Sequence, residues 1–302
     1  MADAVKLIEE LAKKALERSK EQREQREQRE REEQQAGIKT QNVLPFPVWP
    51  DPRRAAPSAA FRSALFPAIG RQKRRKLWDE PIYSVKGVTV IFRGEQFDQS
   101  DLDVFLEIIH QMRDNPTEAE FTAHGLLKAL GRATGKKNYE WLHTVIIRLT
   151  AGTVDMTDHQ RRYFGHLIDG GERDEGTKKY VLSINPKVAE MFRAAWSSLD
   201  INQRRSLKSD TAKALHAYYS SHVNPGFHRF ETLAGIVGIV GKNRNATIRK
   251  AHQELEEAGF LLAWDATKEG VSVQAILTPG QVRAITRQIS KTPRKPHDPH
   301  SV

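Results

Sequence analysis

The sequence predicts an α+β fold: two successive helix-turn-helix units, each closed by a β-hairpin, behind a charged helical arm and a Pro-rich linker. Three observations predict it. One residue pattern occurs twice, at 121–157 and at 230–265. The second helix of each copy carries its apolar residues at helical spacing, Leu142, Val145 and Leu149 in one and Ile248, Ala251 and Leu255 in the other. Composition also shifts near residues 36 and 82, from charged to Pro-rich to globular.

Residues 2–35 read as one helix, with Val5, Ile8, Leu11, Ala12, Ala15 and Leu16 as a thin apolar stripe. The run EQREQREQRERE that follows has no apolar face. Sustained a/d heptads are missing, so a frayed or partly disordered arm over 1–36 fits better than a stable coiled coil. Residues 37–82 contain Pro45, Pro47, Pro50, Pro52, Pro57, Pro67 and Pro81, which forbid long helices. This reads as an extended linker, yet it holds Phe46, Trp49, Phe61, Leu65, Phe66 and Trp78. Some of these should dock on a partner or on the folded body.

A first domain is expected over 83–197, a second over 198–280 and a basic tail over 281–302. In the first, Val88–Phe92 reads as a strand and Ser100–Asp103 as a capping box, with Leu102, Phe105, Ile109 and Met112 on one helical face. Each copy of the repeated pattern begins with Phe (Phe121, Phe230) and runs through a short apolar helix. It breaks at a turn ending in Gly-Lys (Gly135-Lys136, Gly241-Lys242), enters an Asn-started helix and stops at Ala-Gly (Ala151-Gly152, Ala258-Gly259). A strand follows. Helix, turn, helix and hairpin make the winged-helix arrangement. The second hairpin is Phe260–Asp265 with Val271–Ile276, preceded by a helix from Ser209-Asp210 to Ser221. The first is Thr153–Thr157, Tyr163–Ile168 and Tyr180–Ile184 around a polar excursion at 169–176.

The 302 residues carry a formal charge of +10. Residues 1–36 hold nine basic and ten acidic groups, so the excess belongs to the body. It clusters at Arg71, Lys73, Arg74, Arg75 and Lys76, and again from Arg283 to Lys295. Such clusters attract polyanions, above all phosphate backbones. With Ile248, Ala251 and Leu255 facing inward, Lys242, Asn243, Arg244, Asn245, Thr247, Arg249, Lys250 and Gln253 lie outward or on the flanks, and Lys268 sits in the hairpin turn. Arg, Asn and Gln make bidentate contacts to base edges, so this helix is the candidate major-groove reader. The plain alternative is an amphipathic helix with a basic solvated face. The first copy offers Lys136, Lys137 and Asn138, then Tyr139, Glu140 and Trp141. It has less charge and more aromatic surface, and suits either phosphate contact or packing against another protein.

The chain has no cysteine, which excludes disulfides, thiol chemistry and thiolate metal sites and fits a reducing cytoplasm. No apolar run approaches ~18 residues, so no membrane span is expected. The first residues meet two glutamates early and do not read as a secretory signal. Two glycine turns imitate phosphate loops, but Lys137 and Asn243 stand where a Mg²⁺-binding Ser or Thr is required. The histidines show no HExxH and no His-hydrophobe-His triplet. Tyr218-Tyr219 has the look of a nicking nucleophile, but Tyr219 continues an apolar stripe and is expected in the core. No enzyme, metal or cofactor is therefore expected.

Trp49-Pro50-Asp51, Arg62-Ser63-Ala64-Leu65-Phe66, the two tandem patterns and Tyr219-Ser220-Ser221-His222 together resemble the TrfA-type plasmid replication initiators of IncP-like plasmids. The resemblance covers residues 41–278 and leaves out the arm and the tail. It implies two winged-helix domains that bind double-stranded, directly repeated iterons at a plasmid origin. It implies melting of an adjacent AT-rich region, with single-stranded origin DNA as a further ligand, and recruitment of the replicative helicase with the host initiator. The C-terminal domain would read the major groove. The N-terminal one would contact the backbone and form an inactive dimer, as part of copy control. A bacterial cytoplasmic, plasmid-associated location follows from the same likeness. The family also binds the bacterial sliding clamp through a Gln-Leu-x-Leu-Phe peptide. Here the corresponding Gln41, Leu44 and Phe46 follow the longer Gln-x-x-Leu-x-Phe form, unless Phe46 packs on the body instead. The competing reading is a repressor of transcription or copy number built from the same modules, for which the linker would be superfluous.

Overall fold

The computed structural model describes residues 46–70, 74–113, 118–158 and 161–275. The charged arm, Gln41, Leu44, residues 71–73 and the basic tail lie outside them.

The chain enters through β1 (Arg53–Pro57) and α1 (Ser58–Phe61), then forms β2 (Lys76–Ile82) and β3 (Val88–Glu95). A first module follows: α2 (Gln99–Gln111), β4 (Glu118–Thr122), α3 (Ala123–Ala129) and α4 (Lys136–Ala151). Next come β5 (Thr153–Asp158), β6 (Arg161–His166), β7 (Gly170–Arg173), β8 (Lys179–Ser183), α5 (Pro186–Ala194) and β9 (Trp196–Asp200). The linking helix α6 (Ile201–Ser206) leads to the second module: α7 (Asp210–Ser220), β10 (Gly226–Arg229), α8 (Phe230–Val237), α9 (Arg244–Glu257), β11 (Leu261–Ala266) and β12 (Gly270–Ala275).

The two modules have one topology. Each places a strand before the helix-turn-helix and pairs it with the last strand of the wing, giving antiparallel orders β4-β8-β7 and β10-β12-β11. Each has its own core. One joins residues between Phe46 and Leu199, and the other joins residues between Leu207 and Val273. The expected boundary at 197/198 lies within β9, which pairs with β1 along its whole length.

Three expectations are corrected. The first hairpin is not continuous. β5 and β6 leave the module and complete a second sheet, order β2-β3-β5-β6, while the polar excursion supplies β7 and the turn of a wing that β8 completes. The physical reason is burial on one face: Val154, Met156 and Tyr163 cover the same core as Val90 and Phe92 of β3. The capping box sits two residues earlier than expected. Asp98 accepts from Ser100 N (2.8 Å) and Asp101 N (3.0 Å), and Asp101 accepts from Asp98 N (2.9 Å).

The Pro-rich linker is the third correction, because residues 46–70 and 74–82 are part of the folded body. Prolines exclude long helices but allow strands at sheet edges, and Pro81 lies on the edge strand β2. Phe46, Trp49, Phe61, Leu65 and Phe66 are all buried, and only Trp78 stays exposed, beneath the Arg93 guanidinium. Trp49 stacks on Phe192 and donates its indole N–H to His110 Nδ1 (3.0 Å). Arg54 forms a buried pair with Glu107 (2.7 Å). The next residues strap both modules. Arg62 holds Ser221 at the end of α7, and Ala68 N donates to Val237 O (2.7 Å) at the end of α8. Gly238 closes α8 in the left-handed region at φ 70°, where a Cβ would run into Pro67.

Candidate nucleic-acid interface

In the second module α8 buries Phe230, Leu233, Ala234, Ile236 and Val237, and α9 buries Ile248, Ala251, His252 and Leu255 against them. The opposite side of α9 is left to solvent. Lys242, Asn243, Arg244, Thr247, Lys250 and Gln253 are exposed, and Asn245 and Arg249 lie on the flanks. The Asn245 side-chain oxygen has no hydrogen-bond partner among the described residues.

Arg249 is committed to the protein. Its Nη2 donates to Thr267 O in the wing turn (3.0 Å), and its guanidinium lies 4.6 Å from the Phe230 ring. It ties the helix to the turn that presents exposed Lys268. The sequence reading placed Arg249 outward or on the flanks; it lies on the flank, where its length and planarity let it reach the wing.

The acids of α9 sit toward its C-terminal end, and each has a partner. Glu254 accepts from Ser209 N (3.0 Å) and Ser209 Oγ (2.6 Å), Glu256 from Trp264 Nε1 (2.9 Å) and Glu257 from Gln253 Nε2 (3.1 Å). The N-terminal turns therefore present a face with cations and neutral hydrogen-bonding groups and no carboxylate.

Behind this face the helix is held by neutral histidines. His252 donates from Nδ1 to Ile248 O (2.7 Å) and accepts at Nε2 from the Tyr219 hydroxyl (2.7 Å). Burial pushes His252 down to about 4, and His228, beside Tyr218, down to about 4. Tyr219 is fully buried and its hydroxyl is spent on His252, so the expected core role holds. His216 is fully buried against Phe260 and burial pushes it well below its ordinary value.

The first module uses the equivalent positions differently. Lys136 and Lys137 are exposed at the start of α4, but Asn138 donates to Ala133 O (2.7 Å) and closes the turn before the helix. Arg132 lies 3.7 Å from the Trp141 ring centre. Arg148 is buried on Asp101 (2.7 Å), which Arg74 also reaches (3.3 Å). Arg75 pairs with Glu80 at the surface (2.8 Å), so of the 71–76 cluster Arg74 is the cation seen spent inside the protein. Burial, with the adjacent Asp98 charge, raises Asp101 to about 6.

Phe46 is buried between Trp49 and Phe192 rather than presented on a tether, which corrects the expectation of a free clamp peptide. No group of three or more His, Asp or Glu able to hold a metal occurs among the described residues. Nor is any described helix long and apolar enough to cross a membrane.

A model of the family described as Replication protein C (RepC) matches residues 90–274. The chain is 24% identical over 223 residues to the plasmid replication initiator protein TrfA of Escherichia coli, covering 70% of this chain and 56% of TrfA. It thus spans little more than half the length of that relative. Among solved structures, domains 2 and 3 of RctB align with a TM-score of 0.50 at 9% identity, covering 73% of this chain and 99% of RctB's. The Pi initiator protein in complex with iteron DNA aligns more loosely, at TM-score 0.48 and 8% identity, covering 77% of this chain and all of the other.

Proposed function

We infer the function from one premise: the chain belongs to the replication protein C (RepC) family. We read it as a non-enzymatic plasmid replication initiator that binds repeated double-stranded DNA at an origin in the bacterial cytoplasm. The observation that carries this is the solvent face of α9. From Lys242 to Gln253 it offers Lys, Arg, Asn and Gln and no acid, in the position from which a winged helix enters the major groove.

Lys242, Asn243, Arg244, Asn245, Thr247, Lys250 and Gln253 contact base edges and adjacent phosphates in this reading. Lys268 meets the backbone from the wing, and Arg249 sets the wing's position. Lys136 and Lys137 of the first module add backbone contacts. Melting of the origin, engagement of its single strands, recruitment of the helicase and host initiator, and an inactive dimer belong to the same proposal, supported by the likeness to TrfA. Clamp binding through Gln41, Leu44 and Phe46 does not, because Phe46 would have to leave its aromatic stack.

The test is a salt-dependent binding titration with the repeats flanking the chain's own gene and a scrambled duplex of equal length. A large preference for the repeats at physiological salt supports the reading. Equal, steeply salt-sensitive binding to both would reduce the basic face to a general phosphate attractor. Residues 46–70 are structural, so the linker no longer separates initiator from repressor. Permanganate footprinting of the origin does: reactive thymines appear with an initiator and stay silent with a repressor.

A further inference from the structure

A cleft of about 240 Å³ lies between the first module and the linking helix, lined by Arg132 and Gly131 of the α3–α4 turn, Asp103 of α2, Arg204 and Arg205 of α6, and Lys213 of α7. Four cations face a single carboxylate. That carboxylate is spent, since Asp103 accepts from Arg204 Nε and lies 3.4 Å from Lys213 Nζ. Arg204 is buried and fully committed, donating also to Lys213 O (2.9 Å) and Gln99 Oε1 (2.9 Å). It is a post that fixes the walls. Arg205 is exposed and leans on the turn, donating one Nη to Ala129 O with its Cδ 3.8 Å from where a Gly131 Cβ would sit. Arg132 lies flat on Trp141. Exposed Lys136 and Lys137 follow a few residues along the same turn.

We propose that this cleft seats a DNA backbone phosphate at the junction of the two modules, with Arg132 and Arg205 as the contact residues. The cleft is positive, and exposed Arg205 presents a guanidinium fork whose geometry matches phosphate oxygens, with Arg132 beside it on the opposite wall. Both modules wall the cleft, so its occupant registers one against the other. The proposal rests on the DNA-binding reading above and adds residues outside either recognition helix.

The test uses the full chain with Arg132→Gln, Arg205→Gln and the double substitution, each first compared with the parent in thermal unfolding. On repeat and scrambled duplexes alike, each single change should weaken binding about three- to tenfold, leave the preference ratio unaltered and lower the salt slope by about one. Arg205→Lys should recover part of the loss, because the charge returns without the fork. Unchanged affinity and slope in the double variant would overturn the proposal, and so would a lost sequence preference. Titrating inorganic phosphate while following emission, with Trp141→Phe as control, separates the two sources of phosphate. A saturable Trp141 response combined with unaltered DNA binding by the double variant would make the cleft a small-anion pocket and overturn the DNA assignment. If the parent shows no preference for repeats, the initiator reading falls, while the scrambled duplex still tests the cleft.

Discussion

In the second module the carboxylates of α9 stand toward its C-terminal end, Glu254 on the start of α7, Glu256 on Trp264 and Glu257 on Gln253, away from the N-terminal turns. The corresponding helix of the first module gives its polar groups to structure. Asn138 closes a turn, Arg148 is buried on Asp101, and His143 lies 3.2 Å from the Tyr180 hydroxyl of the wing. The two modules have the same strand order and the same helix spacing. They differ in where the cations stand: Lys242, Arg244 and Lys250 are exposed at the start of the second helix of one, whereas Arg148 in the second helix of the other is buried on Asp101. Topology therefore sets where a recognition helix stands, and the local partners of its side chains decide whether it has groups left to read a base.

The largest expected effect tests that contrast directly. Arg244→Ala with Lys250→Ala should cost ~2–6 kcal/mol of binding to the repeats, at ~1–3 kcal/mol per base contact, and relax the preference over scrambled DNA. Lys136→Ala with Lys137→Ala should weaken both duplexes alike and lower the salt slope by about two. Equal loss of preference from both pairs would break the comparison.

Acid should weaken the packing behind α9. Burial holds His228 and His252 at about 4 when folded and His216 well below its ordinary value, against 6.5 unfolded. Their contribution is present above pH ~6.5 and is lost as pH falls toward ~4, at ~1.4 kcal/mol per pH unit for each proton taken up on unfolding. Asp101 titrates at about 6 when folded against 3.8 ordinarily, so the folded chain binds that proton first and gains stability over the same fall. Hydrogen exchange at pH ~7 and ~5, corrected for intrinsic rates, should show α9 losing protection. Undiminished protection of α9 at pH ~5 would refute this.

The smallest effect sharpens the account of the wing. Arg249→Ala should cost ~1 kcal/mol of DNA affinity, in the range of one lost hydrogen bond, with base preference retained. In that background Lys268→Ala should cost less than it does alone, because the turn is no longer held. Additive losses in the double-mutant cycle would return Arg249 to the DNA-contacting set.

The repeated pattern was legible in the sequence because both helices of each copy keep apolar spacing and both stop at glycine. The second wing was legible within one residue at each end, Leu261–Ala266 and Gly270–Ala275, for the same reason. The first wing was not. β5, β6 and β8 all alternate plausibly, and alternation does not say which sheet a strand joins. The 46–82 segment was misread because proline content argues about helices and is silent on strands. Its buried aromatics were the signal that pointed the other way. The contact of Arg249 with Thr267 was not legible, because spacing assigns a face but not a partner.

By itself the sequence determined two helix-turn-helix units with hairpins, their apolar stripes, and an acid-free stretch from Lys242 to Gln253. These follow from local periodicity and from charge, which need no long-range contact to be read. Tertiary structure alone decided that the Pro-rich segment straps both modules, that Phe46 is core, and that Asn138 and Arg249 are spent internally. It also decided that Arg132, Arg204, Arg205 and Lys213 line one cleft. Each depends on groups distant in the chain becoming neighbours, as Arg205 meets Ala129 and Arg62 meets Ser221. Closing those loops costs entropy that only the assembled cores can offset.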